Sequence, residues 1–206
     1  MKTALEFLRV RTEQRGVVWL QGALQKAVEL EMATIPPYLT AMWSIKDQGH
    51  LVAQTIQDIV YQEMLHMGLA CNLLNSLKPP PSTPDVFPII AASTVVPQYP
   101  GHLPGNVHPS LIVPLKRISK PLVNRVFMEI EKPEYAPLKF GRDGSPYPTI
   151  GAFYDAISDA ILQLDSSELQ FRRQRTASIG SDSLTALTSQ VDALRAISLI
   201  KKQGEG

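Results

Sequence analysis

Glu63 and His66 lie three residues apart in a segment that has the apolar spacing of a long helix. The segment spans residues 51–77 and contains no proline. Its apolar residues recur in steps of three or four, which places both polar side chains in the middle of one apolar face. A carboxylate that faces a core must be protonated, paired or bound to a metal, because burying it bare is very costly. Glu-x-x-His on an inward face is typical of carboxylate-bridged two-metal sites in helical bundles. The alternative is a core histidine beside a partly exposed glutamate.

A second inward carboxylate, Glu31, is predicted in the preceding helix, at about residues 16–35. It shares the apolar stripe of that helix, whereas Glu29 falls on the opposite face. The stripe consists of Leu20, Leu24, Ala27, Val28, Glu31 and Ile35. Pro36 and Pro37 predict that the helix ends or kinks there, because proline lacks an amide donor and crowds the preceding turn. The alternative for Glu31 is a position at the edge of the stripe, reaching solvent.

A third predicted helix begins near Ser119, which is a favourable cap, and ends at Pro133. Glu129 and Glu131 lie on either side of its apolar stripe at almost equal angles. Periodicity alone therefore leaves both open as inward carboxylates.

The last predicted helix, at about residues 184–203, leads to Gly204, Glu205 and Gly206. If the helix continues through Gly204, Glu205 falls on its apolar face and points inward. Alternatively, Gly204 ends the helix and leaves Glu205 in solvent. A further helix is predicted after a Thr149 cap, and no strand-like alternation of any length is present.

Residues 79–114 contain ten of the 17 prolines of the chain together with several large apolar side chains. This composition predicts an ordered, proline-rich excursion that packs over the helices and contacts substrate. His102 and His108 lie within it, and we expect neither to be a primary metal ligand. Tyr38, Tyr61 and Met67 are close enough in sequence to the candidate ligands to line a pocket.

The composition of the chain limits the classes of protein to which it can belong. The 206 residues carry a net charge of +1, which gives no reason to expect a nucleic-acid partner. The single cysteine, Cys71, excludes an internal disulfide framework and a cysteine-rich zinc site. No apolar run is long enough to predict a transmembrane helix or a signal peptide. We expect one cytoplasmic, all-α domain over residues 1–206, able to form an oligomer but without a membrane partner.

Five stretches, in the same order along nearly the whole chain, closely resemble the ferritin-like domain of the iminophenylpyruvate dimer synthase family. That family includes enzymes of the violacein and rebeccamycin pathways. The stretches are EMATIPPYL from Glu31, QEMLHMGLACNLLN from Gln62, IEKP from Ile130, TIGAFY from Thr149 and QGEG from Gln203.

The resemblance implies a ferritin-like helical bundle and a two-ion site of iron or manganese. By position, the metal ligands would be Glu31, Glu63, His66, Glu131 and Glu205, so the resemblance favours Glu131 over Glu129. In the family, a Ser-His-Tyr element follows the last stretch and supplies a further histidine. Since this sequence stops at Gly206, we expect a truncated form with an exposed apolar groove beside the site and an incomplete, weak metal site.

The leading functional hypothesis is a metal-dependent, di-iron type oxidoreductase that acts on a small organic molecule with dioxygen. In the pathway enzymes the domain is joined to a larger part resembling a haem catalase. That part has no counterpart in these residues, so dimerisation of an imino acid is not expected here. The alternative is a non-catalytic metal-binding or scaffolding module. Iron storage is disfavoured, because the proline-rich excursion would obstruct a regular cage.

Overall fold

The computed structural model describes residues 3–78, 97–132, 138–140 and 146–204. Six helices of this part are labelled in chain order: α1 is Ala4–Leu8, α2 is Val17–Trp43, α3 is Leu51–Asn75, α4 is residues 120–130, α5 is Ile150–Gln163 and α6 is Gln190–Gly204. Short 3-10 turns are Thr12–Gln14, Pro104–Asn106 and Ser166–Glu168. No helix of the described ranges is long and apolar enough to cross a membrane.

Four long helices form a bundle around one apolar core, which confirms the predicted all-α fold. Each packs against two others: α2 against α3 and α5, and α6 against α3 and α5. Their inward faces supply the largest fully buried side chains. These include Leu20, Leu24, Tyr38, Leu65, Leu73, Leu74, Phe153, Tyr154, Ile157, Ile161 and Ile197. Burial of these faces is the main force that holds the bundle together.

Helix α2 continues through Pro36 and Pro37 to Trp43. Of the two predicted outcomes, an end near Ile35 is therefore wrong, and a kink at the prolines stays a prediction. Pro37 lacks the amide that would donate to the carbonyl of Ala33. The hydroxyl of Tyr99 donates to that carbonyl instead, at 2.7 Å. A partner from the proline-rich excursion therefore replaces the missing hydrogen bond.

Helix α4 begins at a Ser119 cap, whose hydroxyl accepts from the amide of Leu122 at 3.3 Å, as predicted. Its middle, Val123–Phe127, is a π-helical turn between two short α-helical pieces. Such turns insert one residue and shift the faces that follow, and they are frequent at functional sites. Apolar spacing at 3.6 residues per turn does not reveal the inserted residue. It therefore could not predict how the π-helical turn rotates Glu131 relative to the start of α4.

The described part of the excursion, residues 97–114, packs on the bundle and shares its core. Leu103, Val107, Leu111 and Val113 are buried in the same apolar cluster as the long helices. Residues 79–96 of the predicted excursion lie outside the described residues. The described part contacts α2 through the Pro104–Asn106 turn and through the hydrogen bond from Tyr99 to Ala33.

Two short antiparallel strand pairs accompany the helices, although the sequence shows no strand pattern. β1 (Leu138–Phe140) pairs with β2 (Pro146–Pro148), and β3 (Ala177–Ile179) pairs with β4 (Asp182–Leu184). The second pair turns at Gly180, whose φ of +59° is unfavourable for other residues. A Cβ at this glycine would meet the ring of Tyr61 at 2.3 Å, so the hairpin lies directly against α3.

Candidate metal centre

Glu31 of α2 and Glu63 and His66 of α3 converge inside the bundle, as their positions on apolar faces predict. One ligand atom from each of the three lies within 4.8 Å of the other two. The exposed fractions are only 5% for Glu31, 5% for Glu63 and 2% for His66. The spacing of three residues places Glu63 and His66 on one face of α3, and the packing of α2 against α3 brings Glu31 to the same point.

Glu63 is held by the hydroxyl of Thr34, one turn after Glu31 on α2. The Thr34 oxygen lies 2.5 Å from Glu63 Oε2 and 2.7 Å from the backbone carbonyl of Glu31. Burial, followed by repulsion from Glu31, raises the pKa of Glu63 to about 8. One hydroxyl has one proton to give, so Thr34 can donate to only one of these two oxygens at a time.

The two ring nitrogens of His66 have different neighbours. Nδ1 lies 3.6 Å from Oε2 of Glu31, and Nε2 lies 3.0 Å from the side-chain oxygen of Gln203 on α6. Burial by itself would lower the pKa of His66, but the hydrogen bond and negative charge of Glu31, with the charge of Glu63, raise it to about 9. The imidazole is thus fixed between a carboxylate and an amide.

Glu131 approaches the same cavity from the end of α4, whereas Glu129 points away from it. The Tyr38 hydroxyl donates to Oε1 of Glu131, and burial raises the pKa of that carboxyl. Glu129 instead contacts His108 and Lys132, each at 3.5 Å. The structure therefore separates two glutamates that periodicity leaves equivalent.

Two buried tyrosines hold carboxylates of the site. Tyr154 of α5 donates to Oε1 of Glu31, and Tyr38 donates to Glu131. Burial and the neighbouring carboxylates raise the pKa of both phenols well above its ordinary value, so both remain protonated donors. No role for Tyr154 was predicted from the sequence. The available signal was its position on an apolar stripe, one turn after Gly151.

A small cavity of about 40 Å³ lies among these groups. It is bounded by the middle parts of α2 and α3 and by the ends of α4, α5 and α6, and its walls combine the acidic cluster with apolar side chains. The lining residues are Leu30, Glu31, Thr34, Glu63, His66, Ile130, Glu131, Lys132, Ile150, Gly151, Tyr154, Ile200, Lys201 and Gly204. On this measure a cavity needs about 10–15 Å³ to hold one water molecule, so the space suits a few water-sized or ionic occupants.

Three further residues predicted to line a pocket do not line this cavity. Tyr38 reaches it only through Glu131, Tyr61 packs against Gly180, and Met67 lies partly buried at the edge of the core.

His102 and the residues at the end of α6 are the remaining candidates. His102 contacts the carbonyl of Leu111 at 3.2 Å, away from the cluster. Helix α6 does continue to Gly204, which lines the cavity, and Glu205 lies outside the described residues.

Glu29 is buried, like Glu31. The prediction that Glu29 lies on the face of the helix opposite the apolar stripe did not indicate this burial. Glu29 pairs with Lys26, and both side chains are less than 10% exposed. A Cβ at Gly105 would lie 3.5 Å from the Lys26 stem, so this pair lies beneath the Pro104–Asn106 turn. Glu29 thus faces the excursion rather than the bundle interior.

The donor set fits a hard or borderline divalent cation. Carboxylate oxygens and one imidazole face the cavity, and no thiolate belongs to the cluster found among the described residues. Burial and repulsion from Glu31 raise the pKa of Glu63 although His66 opposes this, so the site can accommodate further positive charge. Iron or manganese would supply that charge with ligands that these metals accept.

Comparison with known proteins establishes the family. A family model described as "Ferritin-like" matches residues 24–206, and the chain therefore belongs to the ferritin-like family. The chain is similar to a ferritin-like protein from Caulobacter vibrioides, with 30% identity and a TM-score of 0.67. The match covers 91% of this chain but 66% of that protein's length. No curated protein matches the chain.

Proposed function

We propose that this chain is a di-iron or di-manganese oxidoreductase of the iminophenylpyruvate dimer synthase-like type, which acts on a small organic molecule. The single observation that carries the proposal is the buried cluster of Glu31, Glu63 and His66 at one cavity. Buried, mutually repelling carboxylates with an imidazole are costly unless a cation joins them. Membership of the ferritin-like family supports the same interpretation.

In this proposal Glu31, Glu63 and His66 would hold the ions, and Glu131 and Glu205 would complete the set of ligands. When bound, the ions supply the reduction of dioxygen coupled to oxidation of the organic substrate. Tyr38 and Tyr154 orient two of the carboxylates through hydrogen bonds. The small cavity limits how much of a substrate enters the site, and apolar walls such as Ile150 and Ile200 restrict water.

Oxygen consumption after anaerobic iron loading tests this function. The wild-type protein, loaded with ferrous iron and then mixed with oxygenated buffer, should consume oxygen faster than the same iron in buffer alone. Glu63→Ala should remove the difference, whereas Glu129→Ala, at the surface of α4, should retain it. Iron binding without any acceleration would instead support a non-catalytic metal-binding or scaffolding module.

A further inference from the structure

The side chain of Gln203 contacts the Nε2 edge of the His66 ring, whereas Glu31 lies at the Nδ1 edge. The side-chain oxygen of Gln203 lies 3.0 Å from Nε2, while Nδ1 of the same ring lies 3.6 Å from Glu31 Oε2. An amide oxygen only accepts hydrogen bonds, so this contact requires that Nε2 carries a hydrogen. His66 is 2% exposed, which leaves little access for water to replace this acceptor.

A neutral imidazole has one protonated nitrogen and one lone pair, and only the lone pair can bind a metal. Glu31 on one side and Gln203 on the other compete for the ring hydrogen. If the hydrogen were held at Nδ1 by Glu31, the nitrogen facing the carboxylates would be blocked. In metal sites, the hydrogen-bond partner of one ring nitrogen of a histidine fixes which nitrogen binds the metal.

We propose that Gln203 is a positioning residue, which keeps the hydrogen of His66 on Nε2 and leaves Nδ1 free to bind an ion beside Glu31 and Glu63. The part of this inference that concerns the ion rests on the proposed function. An amide suits the role because it accepts the hydrogen bond without adding a negative charge. A site that already holds several buried carboxylates gains nothing from another one.

The contact also joins the last turn of α6 to the centre of α3. Ile200, Lys201 and Gly204, from the same stretch of α6, line the cavity. The orientation of the imidazole thus depends on the docking of this turn. Gln203 lies far from His66 in sequence, so its contact connects α6 and α3, which pack together only in the folded bundle.

The first test observes the imidazole of the metal-free protein by ¹⁵N-histidine NMR above its pKa of about 9, where the ring is neutral. The wild type should show a His66 Nε2–H signal that is shifted by a hydrogen bond and protected from exchange. Gln203→Leu should lose that signal, and Gln203→Glu should retain it because the carboxylate also accepts. Gln190→Leu is the matched control, because it removes a glutamine contact to Ile161 and Leu164 at the other end of α6. An unchanged signal in Gln203→Leu would overturn the proposal.

The second test measures zinc affinity by chelator competition, with zinc as a diamagnetic probe. Gln203→Leu should weaken zinc binding by about 10- to 100-fold, as changes to such partners commonly do. Gln190→Leu should bind like the wild type, and Gln203→Glu should recover most of the affinity. Equal affinity in wild type and Gln203→Leu would overturn the positioning role while leaving the proposed metal centre intact. A wild type that binds neither zinc, iron nor manganese would contradict the proposed function itself.

Discussion

Hydroxyl groups, together with the imidazole of His66, hold the carboxylates around the cavity. Glu31 accepts from Tyr154, Glu63 contacts Thr34, and the carboxylate of the α4 terminus, Glu131, accepts from Tyr38. Hydroxyl donors orient a carboxylate without cancelling its charge. The negative charge of the site is therefore left for another cation to balance.

The two glutamates at the end of α4 provide a matched pair of substitutions. Glu131→Gln should weaken Mn²⁺ binding by at least the roughly 10- to 100-fold seen when residues next to ligands are changed, since Glu131 faces the cavity. Glu129→Gln should leave the affinity unchanged, because Glu129 contacts His108 and Lys132 instead. Electron paramagnetic resonance of free Mn²⁺ during titration measures both. Equal losses in the two variants would contradict the assignment of Glu131.

The metal-free protein should be less stable in alkaline than in weakly acidic solution. The folded pKa of Glu63 is raised from 4.5 to about 8, and that of His66 from 6.5 to about 9. A group whose pKa is raised by folding stabilises fully below its unfolded pKa, and this stabilisation is lost as pH rises through the folded pKa.

The loss should therefore extend from weakly acidic pH to about pH 9, which urea unfolding in the presence of a chelator would show. The Glu63→Ala/His66→Ala variant should have a flatter profile. A metal-free protein that gains stability over this range would contradict these shifts.

At the scale of elements, the sequence predicted the helices but not the contacts that complete them. The apolar stripes predicted for α2, α3 and α5 were correct, because the spacing of apolar residues is a property of the local sequence. The continuation of α2 past Pro37 depends on Tyr99, which is distant in sequence. The π-helical turn of α4 inserts a residue without a local signal, and the β3–β4 hairpin is too short to show alternation.

The same limit applies to the candidate site. Glu31, Glu63 and His66 could be found because each interrupts an apolar stripe with a polar group. Gln203 and Tyr154 could not be assigned roles, because their partners belong to other helices. The choice between Glu129 and Glu131 depended on the resemblance and not on periodicity.

The substitution Tyr99→Phe tests how α2 tolerates its prolines. Removal of the hydroxyl leaves the carbonyl of Ala33 without this donor, and an unsatisfied buried carbonyl costs about 1–3 kcal/mol. The free energy of unfolding from urea titrations should fall by that amount. Tyr61→Phe is the control, since the structure shows no hydrogen bond from Tyr61 to a described residue. Equal effects of the two substitutions would argue against the role of Tyr99.

At the scale of the whole molecule, the bundle should be stabilised by the ions that it holds. A ligand that binds only the folded state at about 100 times its Kd adds about 2.7 kcal/mol of stability. Addition of Mn²⁺ to chelated protein should therefore raise the melting temperature of the wild type. It should not raise that of Glu63→Ala/His66→Ala.

The variant Glu129→Ala/His108→Ala, whose contact lies outside the cavity, should respond to Mn²⁺ like the wild type. A melting temperature that rises equally with Mn²⁺ in all three proteins would indicate binding elsewhere.

Elemental analysis of the purified protein tests the metal centre most directly. Wild-type protein and the control variant Glu129→Ala/His108→Ala, whose contact lies outside the cavity, are loaded with iron or manganese and then desalted. Both should retain the same amount of metal, up to about two ions per chain. The Glu63→Ala/His66→Ala variant, prepared identically, should retain almost none. Equal metal in the wild type and in Glu63→Ala/His66→Ala would contradict the assignment of this cluster as the metal centre.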